Sequence, residues 1–163
     1  MSKLDNHYKY LDQMVRENNM EAIFSLENHA DFSFTLHEVL MSRYDADENS
    51  LNEPQLNLFL IMHLENAGQA DHILSFLQEW FPNYAQKVVK ALHEIGATNS
   101  ARIIQKAVDL LPEDKSWFYD TADEAAIQSM DVLDEQFSDY PDGFLRDLYR
   151  NYANHHKEEI IQV

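Results

Sequence analysis

Apolar residues recur every three or four positions along almost the whole chain, and strict alternation is nearly absent. That period predicts helices and no persuasive strand. A first helix is expected over about 3–17, with Leu4, Tyr8, Leu11 and Val15 on one stripe, and a shorter one over 20–29. The next covers about 33–44 and turns Leu36, Val39, Leu40 and Tyr44 inward. After a polar loop, Asn52 or Ser50 can cap a helix that carries Glu53 and Pro54 in its first turn, holds Leu56, Phe59, Leu60, His63 and Leu64, and loosens near Gly68.

Three glycines and four prolines punctuate the rest. A helix is expected over 69–80 with Ile73, Phe76, Leu77 and Trp80 apolar. Another opens at Pro82 and ends at Gly96, which suits a left-handed C-cap. Thr98 or Asn99 caps the next, which stops before Pro112. Thr121-Ala122-Asp123-Glu124 reads as a capping box opening a helix that runs to about Ser138. Pro141 starts the last, with Phe144, Leu145, Leu148 and Tyr152 apolar, and residues 156–163 are expected to fray. The expectation is an all-α, single compact domain of about eight helices over 1–163, long enough for a core without disulfides.

Composition sharpens this picture at one point, the charge. The chain carries 29 acids against 12 lysines and arginines, a formal net charge of −17. Such a balance repels nucleic acid and anionic membranes and attracts basic proteins. The acids are concentrated: the stretch 112–145 holds ten of them and one base, Lys115. Asp120, Asp123 and Glu124 recur eleven residues later as Asp131, Asp134 and Glu135, and eleven residues is about three helical turns. Asp139 continues the row, Asp142 follows, and Ala122, Ala125, Ala126, Ser129, Val132, Leu133 and Phe137 fall on the other side. Carboxylates four residues apart stand about 6 Å apart along a helix, close to the roughly 7 Å between phosphates on one DNA strand. Like charges at that spacing destabilise a helix, and interleaved lysines would serve solubility better. Acids in a first turn, by contrast, simply complement the helix dipole. Asp45, Asp47 and Glu48 form a second acidic stretch, and Lys87, Lys90, Arg102 and Lys106 a basic one.

Catalytic and metal patterns do not emerge. No cysteine is present, which removes thiol chemistry and Cys-based zinc sites. No glutamate stands three residues before any of the eight histidines, so the helical di-metal motif is missing. Asp45-x-Asp47-x-Asn49 begins like a calcium loop, but Ser50 replaces the required glycine and Leu56 the closing glutamate. Phosphate loops, nucleophile elbows and dinucleotide fingerprints are likewise missing. The expectation is no enzyme, no cofactor and no metal. The N-terminus has no signal-peptide pattern and no apolar run reaches membrane-spanning length, which points to the cytoplasm.

Leu51-Asn52-Glu53-Pro54-Gln55, Glu65-Asn66-Ala67-Gly68-Gln69, Phe81-Pro82-Asn83-Tyr84-Ala85, Ala91-Leu92-His93-Glu94-Ile95-Gly96-Ala97 and Leu133-Asp134-Glu135-Gln136-Phe137 follow one another. Over roughly 50–155 this order resembles a bacterial family of small acidic helical proteins that includes a DNA mimic. Where family members often have Asn-Gly-Gly-Phe, this chain has Asn66-Ala67-Gly68-Gln69. The resemblance implies an all-α homodimer that occupies the DNA-binding face of a helix-turn-helix transcription factor. Together with the acidic row it predicts a partner-binding set of Asp120, Asp123, Glu124, Asp131, Asp134, Glu135, Asp139 and Asp142, with Asp45, Asp47 and Glu48 secondary. The alternative is a generic helical interaction module that uses the aromatics around Trp117, Phe118 and Tyr119.

Overall fold

The computed structural model describes residues 3–162, with side chains from Asp5 onward. It is all-helical: α1 (Lys3–Arg16), α2 (Met20–Phe24), α3 (His29–Ala46) and α4 (Glu53–Ala70) are followed by a π-helix (Ser75–Trp80) and a 3-10 turn (Pro82–Tyr84). Then come α5 (Ala85–Glu94), α6 (Thr98–Asp109), α7 (Phe118–Thr121), α8 (Glu124–Ser138), α9 (Leu145–His155) and α10 (Lys157–Ile160). Among the described residues no strand forms, and no helix is long and apolar enough to cross a membrane.

The helices group into two compact units. One comprises 1–59 with 146–163, the other 60–145, and one boundary falls inside α4 between Phe59 and Leu60. In the first unit Leu11, Ile23, Phe32, Leu36, Leu40, Leu58, Phe59 and Tyr149 are buried. The expected stripe of α1 is only partly right. Leu11 is buried, but Met14 joins it, Val15 is half-buried and Tyr8 is 58% exposed. Leu4 lies outside the described side chains. Asn52 does cap α4: its Oδ1 accepts from Gln55 N–H at 3.1 Å while Gln55 Oε1 accepts from Asn52 N–H at 3.0 Å. Both orphan donors of that helix start are thereby satisfied reciprocally.

The C-terminal expectation is corrected. Residues 157–162 do not fray; they are held. The side chain of Gln55, itself buried, donates through Nε2 to the carbonyls of Ile160 (3.0 Å) and Gln162 (2.9 Å). Asn52 Nδ2 donates to Glu159 O at 2.8 Å, and Arg43 Nη1 to Gln162 O at 3.0 Å. Ile160 is fully buried. Three polar side chains far away in sequence thus satisfy the carbonyls of a short helix that composition alone would leave loose.

In the second unit α4 runs through Gly68 rather than loosening there. A Cβ on Gly68 would meet the Phe137 ring at 3.0 Å, so the missing side chain admits α8. The segment expected as a regular helix over 69–80 instead closes on a π-turn, with Phe81 N–H reaching back to Phe76 O at 3.0 Å. Gly96 ends α5 at φ +89°, and Ala97 N–H bonds to Leu92 O at 2.8 Å, which is the expected left-handed cap.

Ile160→Ala is expected to destabilise the protein by about 2–5 kcal/mol, the cost of emptying a core site. Urea unfolding would measure it, and an unchanged midpoint would mean that the tail is not docked.

Candidate partner-binding surface

The acidic stretch does not form one continuous helix. Phe118–Thr121 makes its own short turn, Ala122 is extended, and α8 opens at Glu124 with Asp123 as N-cap, its Oδ1 accepting from Ala126 N–H at 2.8 Å. The cap is Asp123 and not Thr121. Asp120 therefore sits on α7, outside the register of α8.

From Glu124 on, three stripes run along α8. Met130, Leu133 and Phe137 are buried. Glu124, Asp131 and Glu135 are exposed on the crest, and Asp139 continues them as the C-cap residue. Ala125, Gln128, Ser129, Val132 and Gln136 are exposed on a third face. The expected apolar underside is thus divided. Leu133 and Phe137 pack inward and Ala126 is half-buried, whereas Ala125, Ser129 and Val132 face an open cleft.

Besides the N-cap Asp123, two more of the eight acids are committed to the fold. Asp142 reaches the N-terminus of α6, where Oδ1 accepts from Asn99 N–H (3.0 Å) and Oδ2 from Ser100 N–H (2.7 Å) and Ser100 Oγ (2.8 Å). Neither Thr98 nor Asn99 caps that helix; a carboxylate from 42 and 43 residues on does so instead. Burial would raise the pKa of Asp142, but the donations from Ser100 and Asn99 outweigh it and hold the carboxyl below its ordinary value. Asp134 likewise accepts from Ile73 N–H at 2.6 Å, at the start of the helical segment that becomes the π-turn. Here burial prevails and pushes the carboxyl above its ordinary range, opposed by the Ile73 bond and by His72.

Asp120, Glu124, Asp131, Glu135 and Asp139 are exposed. Among the described residues, none of the eight acids pairs with a lysine or arginine of this chain. Asp71 lies near them, although Ser75 Oγ donates to its Oδ2 at 2.5 Å and His72 Nε2 stands 3.5 Å from its Oδ1. Partial burial and the charges of Asp131, Asp134 and Asp71 together raise the Tyr119 hydroxyl above its ordinary pKa. Only tertiary packing brings Asp71 there, and no local signal marks it. Of the aromatic trio, Tyr119 is exposed, Trp117 half-buried and Phe118 buried. Asp45, Asp47 and Glu48 are exposed and belong to the other unit, where Asp47 Oδ1 accepts from Asn49 N–H at 2.9 Å.

Residues 49–156 match the family described as DMP19-like protein. The chain belongs to the DMP19-like family. This is a DNA-mimic family and not an enzyme family, and its role implies a DNA-binding protein as partner. The matched span runs from just before α4 to the end of α9 and contains all of α8; Asp45, Asp47 and Glu48 lie outside it. No curated protein and no solved structure matches the chain with significant similarity. Within the DMP19-like span, Ala91, Leu92, Ile95 and Ala97 are buried, so that motif builds the core.

Asp142→Ala is expected to cost about 1 kcal/mol, the value of a helix cap. Because the native carboxyl is depressed, that stabilisation is present above the ordinary carboxylate pKa and disappears as pH falls through the folded value. Thermal melts of wild type and variant should differ at neutral pH and converge in acid. A constant difference across pH would contradict the cap.

Proposed function

We propose that this DMP19-like chain occupies the DNA-binding face of a helix-turn-helix transcription factor and displaces its operator DNA. The observation that carries the reading is the crest of α8. Asp131, Glu135 and Asp139 stand four residues apart, about 6 Å per step along the axis, and none is neutralised from within. That is close to the spacing at which a DNA strand presents charge, so arginines and lysines placed to meet phosphates can meet carboxylates instead.

Energetics support the reading. Glu135 and Asp139 lie at the C-terminal end of α8, where the helix dipole disfavours negative charge, and no basic residue occupies that last turn. Each such acid is unfavourable by about 0.3–1 kcal/mol. Stability alone would favour lysine there. A structural account exists for Asp123, Asp134 and Asp142, which act as caps, and for Glu124, which complements the dipole of the first turn. No such account covers Asp131, Glu135 and Asp139. We therefore assign the principal contacts to these three, with Glu124, Asp120 and Asp71 flanking them. The same acids steer the partner at a distance, raising the rate of encounter. Binding excludes DNA stoichiometrically, with no turnover; the resemblance adds a homodimer, and the N-terminal sequence pattern adds the cytoplasm.

Reversing charge in Asp131→Lys/Glu135→Lys is expected to weaken capture of a helix-turn-helix factor by about a hundredfold or more, since like-charge juxtaposition costs several kcal/mol. Circular dichroism should stay unchanged, because both side chains are exposed. Wild-type binding should also weaken steeply with salt. A double variant that still displaced operator DNA would move the site off α8. Loss of binding in Trp117→Ala or Tyr119→Ala with full binding by the charge-reversed protein would favour the aromatic interaction module.

A further inference from the structure

Beside the crest lies a feature that charge does not explain. Between α6 and α8 runs an open cleft of about 740 Å3. Its α8 wall is Ala125, Gln128, Ser129, Val132, Leu133 and Gln136, and its α6 wall is Lys106, Asp109 and Leu110. Val132, a β-branched apolar side chain, is 50% exposed on this wall. The α6 side carries one charge of each sign, and Asp109 Oδ1 accepts from Gln105 Nε2 at 2.8 Å, so that wall presents no net charge.

The register of α8 ties cleft and crest together. Each crest acid within α8 itself is followed immediately by a cleft residue: Glu124 by Ala125, Asp131 by Val132, Glu135 by Gln136. Successive residues are about 100° apart around a helix. The two faces are therefore adjacent along the length of α8. Any body that lays cations along the crest passes its neighbouring side chains over Val132.

We propose that the cleft receives the apolar side chain of a basic amphipathic helix whose cations pair with Asp131 and Glu135. The proposal rests on the reading of the crest as the partner-binding surface and adds the partner's chemistry. The occupant is a helix with arginine or lysine on one face and a leucine-sized residue on the face next to it. Charge complementarity selects a basic partner at the crest. The cleft selects, among basic partners, one that carries the apolar residue in register. A purely cationic helix would satisfy the acids and leave Val132 and Leu110 in water.

The test uses the full chain and two synthetic helical peptides as long as α8. Both carry arginine at every fourth position. One carries leucine on the adjacent face, and the other has glutamine at those positions. Binding is measured by fluorescence anisotropy at low and moderate salt. The leucine peptide should bind wild type about tenfold tighter, as expected for one buried leucine side chain. That ratio should persist as salt rises, while both affinities fall. Val132→Gln should abolish the ratio and leave the affinity for the glutamine peptide unchanged. Asp131→Lys/Glu135→Lys should weaken both peptides and leave the ratio intact. Since Val132, Asp131 and Glu135 are exposed, no variant should lower the thermal midpoint, and Glu135→Lys should if anything raise it. Equal binding of the two peptides to wild type, or a ratio that survives Val132→Gln, overturns the cleft proposal and leaves the crest reading standing. Failure of both peptides to bind at low salt overturns the two together.

Discussion

A row of carboxylates with no cation among them repels itself, so α8 must be held in place from its other side. Met130, Leu133 and Phe137 supply the buried contact, and the absence of a side chain at Gly68 lets the Phe137 ring come in close. Ser138 Oγ donates to Gly68 O at 2.9 Å and Gln69 Nε2 to Ser138 O at 3.1 Å, so the end of α8 is also tied to α4 by hydrogen bonds. Apolar burial worth about 1.5–3 kcal/mol per large side chain exceeds the few tenths lost to each like-charge pair on the helix. That margin allows the crest to stay bare, and the acidic surface depends on it.

The acids of this stretch divide by what they face. Asp123, Asp134 and Asp142 turn toward helix starts and satisfy backbone N–H groups that would otherwise lack partners. Asp131, Glu135 and Asp139 face water. The first group builds the platform: Asp142 fixes the start of α6, which forms one wall of the cleft, and Asp134 fixes the segment that carries Asp71 and His72 close to the crest. Removing a capping acid would lower surface charge and disturb the scaffold at once. Charge reversal at a crest position leaves every cap in place and acts chiefly on the partner. Net charge, the most conspicuous number in the composition, therefore overstates how much of the acid is available for recognition.

Helix positions were legible where the signal was local. The period of apolar residues located α3, α4, α5 and α6, and Gly96 and the cap at Asn52 ended and began elements where their local chemistry required. What escaped was whatever depended on distant partners. Thr121 offered a good box, yet Asp123 took the cap, because a break at Ala122 separates α7 from α8. The α6 cap comes from Asp142, and no window of sequence around Thr98 contains it. The docking of Lys157–Ile160 follows from Gln55, a buried amide whose partners lie 105 and 107 residues away. The period of α8 suggests two faces where the helix has three, since a helix flanked by an open cleft exposes residues that a fully covered underside would bury. For the same reason, spacing along the chain revealed the acidic row but not which acids were already spoken for.

The division into crest and cleft also bears on selectivity. Contacts to a phosphate backbone carry no sequence information; they position a protein and supply affinity that any DNA-binding surface shares. A chain that imitated only that backbone would inherit its indifference, attracting every basic groove with similar strength. Discrimination between partners requires a contact that some of them make and others do not. Asp131, Glu135 and Asp139 are equivalent single charges on one regular helix, and they offer long-range attraction and register but little to tell one array of arginines from another. The half-exposed Val132, set about 100° round from Asp131 beside a wall of α6 that carries no net charge, is a feature that duplex DNA does not possess along its phosphates. Departure from faithful mimicry at that position is what would let an acidic helix choose its partner.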